Sequence, residues 1–384
     1  MHFTGEMFQR SVARGILMFF GLNTGGVLFV IASFSLVSVL RAQNVSELNK
    51  ADRSDFALQP SHVNGYRFGR DGSPIDAETV HLWRTAAEQG DLASQVNLGI
   101  AYQTGAGVAK NYVAAAHWYR EAADQGDAVA ECNLAILYHL GLGIPRDDSE
   151  AAHLWRKAAE QGVTAAQLNL GASYQSGEGV LKDDAEAVRW FQRAAEKGEP
   201  AAELALGMQY VNGAGVPKDP VQGIEWIRKS AEQGSPDGQF WLAFAYYSGI
   251  GVVQDDVEAV RLFRKAAEQG FAPAEYNLAQ AYDTGTGVAR DVSEADRWWL
   301  QAAEGGIAEA QYKVGLAYHN GTGIEKNEVE AYFWINLAAA SIDLAFVRES
   351  RDSIGKTLTS SQLADVQARC QRWAEAHQLP SLAY

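Results

Sequence analysis

The chain has 384 residues, with 32 lysines and arginines against 47 aspartates and glutamates, a formal net charge of -15. That balance repels phosphate backbones and argues against a nucleic-acid partner. Two cysteines, Cys132 and Cys370, supply neither a disulfide framework nor a metal-ligand spacing.

The first feature in chain order is an uncharged run of 26 residues from Gly15 to Leu40, preceded by Arg10 and Arg14 and closed by Arg41. It is longer than the roughly 20 residues that span a bilayer. Residues 1–42 are therefore expected to form a signal anchor, with segment 15–40 in the membrane and residues 43–384 outside the cytoplasm, on the periplasmic side. The most apolar part, Val27 to Leu40, has only 14 residues, and cleavage to a soluble periplasmic or secreted product is the alternative. Leu40, at the -3 position of a cut after Ala42, fits the small-x-small rule poorly. Residues 43–76 read as a polar tether and a degenerate first repeat. Tyr66 and Gly69 keep its phase, but Asp71 replaces a loop glycine and Pro60 interrupts its first helix.

From there the chain repeats itself. Tyr102, Tyr138, Tyr174, Tyr210, Tyr246, Tyr282 and Tyr318 are spaced by 36 residues, each followed by a Gly-x-Gly such as Gly105–Ala106–Gly107. A Gly-x-Gly before a helix start resembles a phosphate cradle. A cradle is needed once, however, whereas this one recurs wherever the chain turns, so the glycines are architectural. Asn111, Asp147, Asp183, Asp219, Asp255, Asp291 and Asn327 form a column of N-cap residues, and Glu150, Glu186, Glu258, Glu294 and Glu330 three positions on predict capping boxes. Pro220 suits the first helical position after Asp219. Each unit is a helix A, a Gly-x-Gly turn, a capped helix B and a second glycine turn at the Gly90 column. The Leu98 column and eight tryptophans in two adjacent helix B columns, among them Trp155, Trp226 and Trp299, are the expected core. One such unit cannot bury this surface alone, whereas a stack can.

The pattern A-x-x-x-L-G-x-x-Y-x-x-G-x-G-V, then D-x-x-x-A-x-x-W-x-x-K-A-A-E-x-G, resembles the Sel-one-like repeat, a relative of the tetratricopeptide repeat. The resemblance implies an all-α fold, a right-handed α/α superhelical solenoid over 77–342 with a half repeat and seven full ones. Residues 343–384 would form a C-terminal helical cap, with a helix from about Ser360 to His377 over the open end. For function it implies a non-enzymatic scaffold or adaptor at the cell envelope, binding a peptide or protein in a groove, with no shared catalytic residue. The alternatives are an envelope hydrolase or its regulator, or an endoplasmic-reticulum degradation adaptor, to which the sequons at Asn44 and Asn320 would be relevant.

No cofactor or metal is expected. His81, His117 and His153 occupy one column of successive repeats, too far apart to share a zinc, and read as an exposed ridge continued by Arg189, Arg261 and Arg297. Gly355–Lys356–Thr357 lacks the preceding strand and glycine of a phosphate loop. By the same resemblance the groove is lined at the columns of Val96, Ile100, Gln103 and Thr104. These become aromatic late in the chain, which makes Phe240, Phe244, Tyr247, Tyr276, Tyr312 and His319 the candidate partner-binding residues.

Overall fold

The computed structural model describes residues 75–342 and 344–377, together with two three-residue strands, Ile16–Met18 and Ala32–Phe34, paired in a two-stranded sheet. Within the stretch 15–40 expected to span a membrane, these triplets are strand. The other residues of that stretch and most of the expected tether lie outside the described residues. Among the described residues no helix is long and apolar enough to cross a membrane.

Seventeen helices follow: α1 (Ala77–Ala87), α2 (Leu92–Thr104), α3 (Tyr112–Asp124), α4 (Ala128–Leu140), α5 (Asp148–Glu160), α6 (Thr164–Ser176), α7 (Asp184–Ala195), α8 (Pro200–Asn212), α9 (Pro220–Glu232), α10 (Pro236–Ser248), α11 (Asp256–Ala267), α12 (Ala272–Thr284), α13 (Val292–Glu304), α14 (Ala308–Asn320), α15 (Glu328–Ser341), α16 (Ala345–Gly355) and α17 (Ser360–Ala376). The fold is the expected all-α solenoid of 36-residue helix pairs. It falls into two compact units, the first ending at Asp219 and the second beginning at Pro220. Within each, consecutive helices pack antiparallel.

The predicted caps form, but not as reciprocal boxes. Asp183 accepts from the backbone N–H of Ala185 and Glu186, and Asp255 and Asp291 do the same in their repeats. The glutamates three positions on turn outward instead. Glu186, Glu258 and Glu294 accept from Arg189, Arg261 and Arg297, one turn on, where both partners of the bond are ionised. The reciprocal box forms at Thr359 and Gln362, opening α17.

The loop glycines seat one repeat on another. Gly141 ends α4 in the left-handed region (φ 67). Gly143 is also left-handed (φ 71), and a Cβ there would run into the Tyr112 and Val113 backbone at the start of α3. Both the dihedral and the close approach require glycine.

Large and small columns interlock between these helices. The column from Leu98 to Val314 is fully buried. Gly99 leaves room for the Tyr119 ring and Gly171 for Phe191. Five of the eight column tryptophans, Trp155, Trp190, Trp298, Trp299 and Trp334, are buried. Trp83, Trp118 and Trp226 are half-buried, a correction to their reading as core. The ring of Trp226 lies under the Lys229 ammonium, 3.6 Å from its centroid.

Two polar ladders tie the repeats. An arginine of helix B donates to the tyrosine of the following helix A in Arg84–Tyr102, Arg120–Tyr138, Arg156–Tyr174, Arg228–Tyr246 and Arg264–Tyr282, at 2.6 to 3.0 Å. At the other end of the hairpin, Gln95 donates to Ala87 O and accepts from Gln125 at 2.7 Å. Glu131, in the same column and fully buried, takes Lys157 at 2.6 Å and Gln161 at 2.9 Å.

The tail holds two helices, of which sequence reading found one. α17 covers α15, burying Val366, Cys370 and Ala374, while Arg369 grips Glu330 with two bonds of 2.8 and 3.1 Å. Gly355 is the last residue of α16, so Gly355–Lys356–Thr357 is a helix end.

Candidate binding face

The candidate residues divide by burial. Phe240 is 2% exposed and packs on Phe263 at 5.7 Å and Phe271 at 5.4 Å; Tyr276 is 4% exposed. Neither is a surface anchor, which corrects the expectation for both. Their column, which starts at Val96 and continues through Cys132, Leu168 and Leu204, is buried throughout these six members. It varies because each residue fits different neighbouring side chains. Burial, with the Glu309 charge adding to it, raises the Tyr276 hydroxyl pKa well above its ordinary value. The last member, Tyr312, is half-buried under the tail, its ring 5.4 Å from Phe346 and its hydroxyl 3.2 Å from Ser350 Oγ.

Ile100 and Gln103 are likewise buried, Gln103 accepting the Tyr119 hydroxyl at 2.6 Å. The expected groove columns at Val96, Ile100 and Gln103 are thus interior at their first members, and Thr104 is half-buried. Tyr247 and Phe244 are half-buried. Burial, then the Asp256 charge, raises the Tyr247 hydroxyl pKa. His319 is held by Glu328, Nδ1 to Oε2 at 2.7 Å, on a carboxylate that Lys326 also reaches at 3.1 Å.

In α10 one face runs through Asp237, Trp241, Phe244 and Ser248, spaced by four, three and four residues. It reaches solvent toward its C-terminal end, where Ser248 is exposed, whereas Asp237 is buried, as are Asn133, Asn169 and Asn277 at the Trp241 position of other repeats. Trp241 and Phe244 are both half-buried and meet edge to face at 6.0 Å. Asp237, in the first turn, has its carboxyl pKa raised by burial. Sequence reading missed Trp241, although a signal was present. It is a tryptophan outside the two helix B columns, and it stands where Asn97, Asn133, Asn169 and Asn277 occupy four of the other repeats.

Burial pushes the Cys132 thiol up to about 12, so it is no thiolate nucleophile. Cys370 is buried as well. His81, His117 and His153 are exposed, as are Arg189, Arg261 and Arg297 in the same column. Among the described residues no group of three or more histidines, cysteines and acids is placed to hold a metal ion.

Comparison with known families decides the assignment. The Sel1 repeat matches eight consecutive segments, 65–91, 92–127, 128–163, 164–199, 200–235, 236–271, 272–307 and 308–343. The chain belongs to the Sel1 repeat family. Its partial first repeat and seven full ones agree with the sequence phase. A Sel1 repeat protein from Oxalobacter formigenes is similar over 64% of this chain and 96% of its own, at 32% identity and a TM-score of 0.57. The protective antigen c5321 of uropathogenic Escherichia coli strains is 30% identical over 90% of this chain and 81% of its own, with a TM-score of 0.48. No curated protein matches the chain. Sel1 and tetratricopeptide-like folds commonly mediate protein–protein interaction.

Proposed function

We propose that this Sel1 repeat protein is a non-catalytic scaffold that holds a peptide or protein partner on the partly exposed face of helix α10, with Trp241 and Phe244 as anchors. The observation that carries this reading is the aromatic pair itself. The interior columns already account for Phe240 and Tyr276, whereas Trp241 and Phe244 keep part of their rings at the surface, at two positions where none of the other full repeats is aromatic. Aromatics in that position are what binding hot spots use. We further propose that the repeats lie outside the cytoplasm, tethered by segment 15–40, on the strength of its uncharged length.

The test is retention of a host protein by purified chain and by the Trp241→Ala, Phe244→Ala variant. A partner retained by the wild type should be lost by the variant with little change in the thermal midpoint. Equal retention would refute the site. For location, a reporter active only outside the cytoplasm, fused after Tyr384, should be active and stay with membranes; an inactive fusion would refute it.

A further inference from the structure

Four positions in and just after helix α13, namely Asp296, Leu300, Gln301 and Gly305, carry residues that replace the core packing or ties seen at the same positions of α5. The column of Val80, Ala116, Ala152, Val188, Ile224 and Val260 is buried and apolar, but α13 places Asp296 there. One oxygen of Asp296, Oδ2, is buried without a hydrogen-bond partner. It lies so close to Gly323 that a Cβ on that glycine would overlap it. Leu300 stands where arginine staples the tyrosine of the next helix A in five other repeats, so Tyr318 on α14 receives no guanidinium from α13. Gln301 and Gly305 occupy the positions from which Lys157 and Gln161 serve Glu131. The carboxylate they would serve, Glu275 on α12, is 6% exposed and has no ion pair.

The neighbouring charges do not compensate. Beside Glu275 stands Glu304, itself an acid, and Asp296 faces Asp283 of α12. Arg290 is taken by Asp283, through its backbone oxygen at 2.7 Å and its carboxylate at 3.9 Å, and Arg297 by Glu294 at 3.2 Å. On α14, the Lys313 ammonium sits over the Trp299 ring at 5.1 Å, and Glu309 is another carboxyl that burial raises. Lys265 and Glu268, at the end of α11, are exposed and form no ion pair with Glu275. From the tail, His377 reaches only the backbone oxygen of Glu304, at 3.1 Å.

We propose that α13 is a pH-dependent joint: ionisation of Glu275 and Asp296 loosens its hold on α12 and α14, and protonation of the two carboxyls closes it. Burial, with the Glu304 charge adding to it, pushes the Glu275 carboxyl from its ordinary 4.5 up to about 7. Burial and Asp283 raise Asp296 as well. The folded state therefore binds protons that the unfolded chain has already released. The stabilisation is full below pH 4.5, declines as pH rises and is gone above about 7. Glu131, held by Lys157, is the internal contrast.

Hydrogen exchange of the full chain, corrected for intrinsic rates, at about pH 5.5 and about pH 8 tests this. Amides of α13 should open at least tenfold more readily at the higher pH, since each pKa unit is a factor of about ten, while α5 should not. The variant Glu275→Gln with Asp296→Asn should lose the pH dependence, and Asp296→Val, which restores the apolar column, should reduce it. Equal pH dependence in α5 and α13, or its survival in the double variant, would overturn the proposal.

Discussion

The guanidinium of Arg156 donates to the hydroxyl of Tyr174, 18 residues on, at 2.7 Å, joining one repeat to the helix A of the next. The same bond recurs in four other repeats, which gives the tyrosine column a physical reason: the ring fills the seam and its hydroxyl closes a staple across it. Tyr174→Phe should cost about 0.5–1.5 kcal/mol in denaturant unfolding. Tyr318→Phe, opposite Leu300, should cost clearly less. Equal costs would show that the staple contributes nothing.

The buried and half-buried tryptophans should separate in the same assay. Trp155→Ala removes a buried indole and should cost roughly 3–5 kcal/mol, weakening neighbouring repeats as well. Trp226→Ala, which loses a partly exposed ring and its contact with Lys229, should cost less than half as much.

Two glycines with similar dihedrals should respond differently to alanine. Gly126 (φ 86) has open space around an added Cβ, so Gly126→Ala should cost only the left-handed backbone, about 1–2 kcal/mol. At Gly143 (φ 71) the added methyl also meets the first turn of α3, and Gly143→Ala should cost at least about 1 kcal/mol more. Thermal or denaturant melts of the pair would show it.

Much of this was legible in the sequence because a repeat reports its own geometry. The 36-residue step, the caps at Asp183 or Asp291 and the glycine turns follow from local chemistry that each repeat states afresh. The face was harder to read. Phe240 and Trp241 are adjacent on one helix, and only the 3.6-residue turn, combined with knowing which side the next helix B covers, sends the first inward and the second outward. Column variability is no guide for the same reason, since a stacking column varies as freely as a binding one. The glutamate partners were also hidden, because nothing local decides between a backbone N–H and an arginine one turn on.

Acid should probe the loop that enters α5. His139 and Arg146 both bond Asp148, at 2.7 Å from His139 Nδ1 and 2.6 Å from Arg146 Nη2. Burial raises the carboxyl, but the bonds from Arg146 and His139 outweigh it, leaving it below its ordinary 3.8. Its contribution is therefore present above that value and lost as pH falls through the folded one. Asp148→Asn should cost up to about 1 kcal/mol at neutral pH, and the difference from wild type should shrink to nothing once both chains are studied well below the ordinary carboxylate range.

The central claim, that the Trp241–Phe244 row is where a partner sits, is tested most directly by a photo-crosslinking amino acid placed in the full chain in its native host. Substituted at Phe244 it should give one dominant adduct with another protein. Substituted at exposed Arg189, on the helix B ridge, it should give none. Adducts of equal yield and identity from both positions, or none from Phe244 while the chain remains folded, would contradict the account.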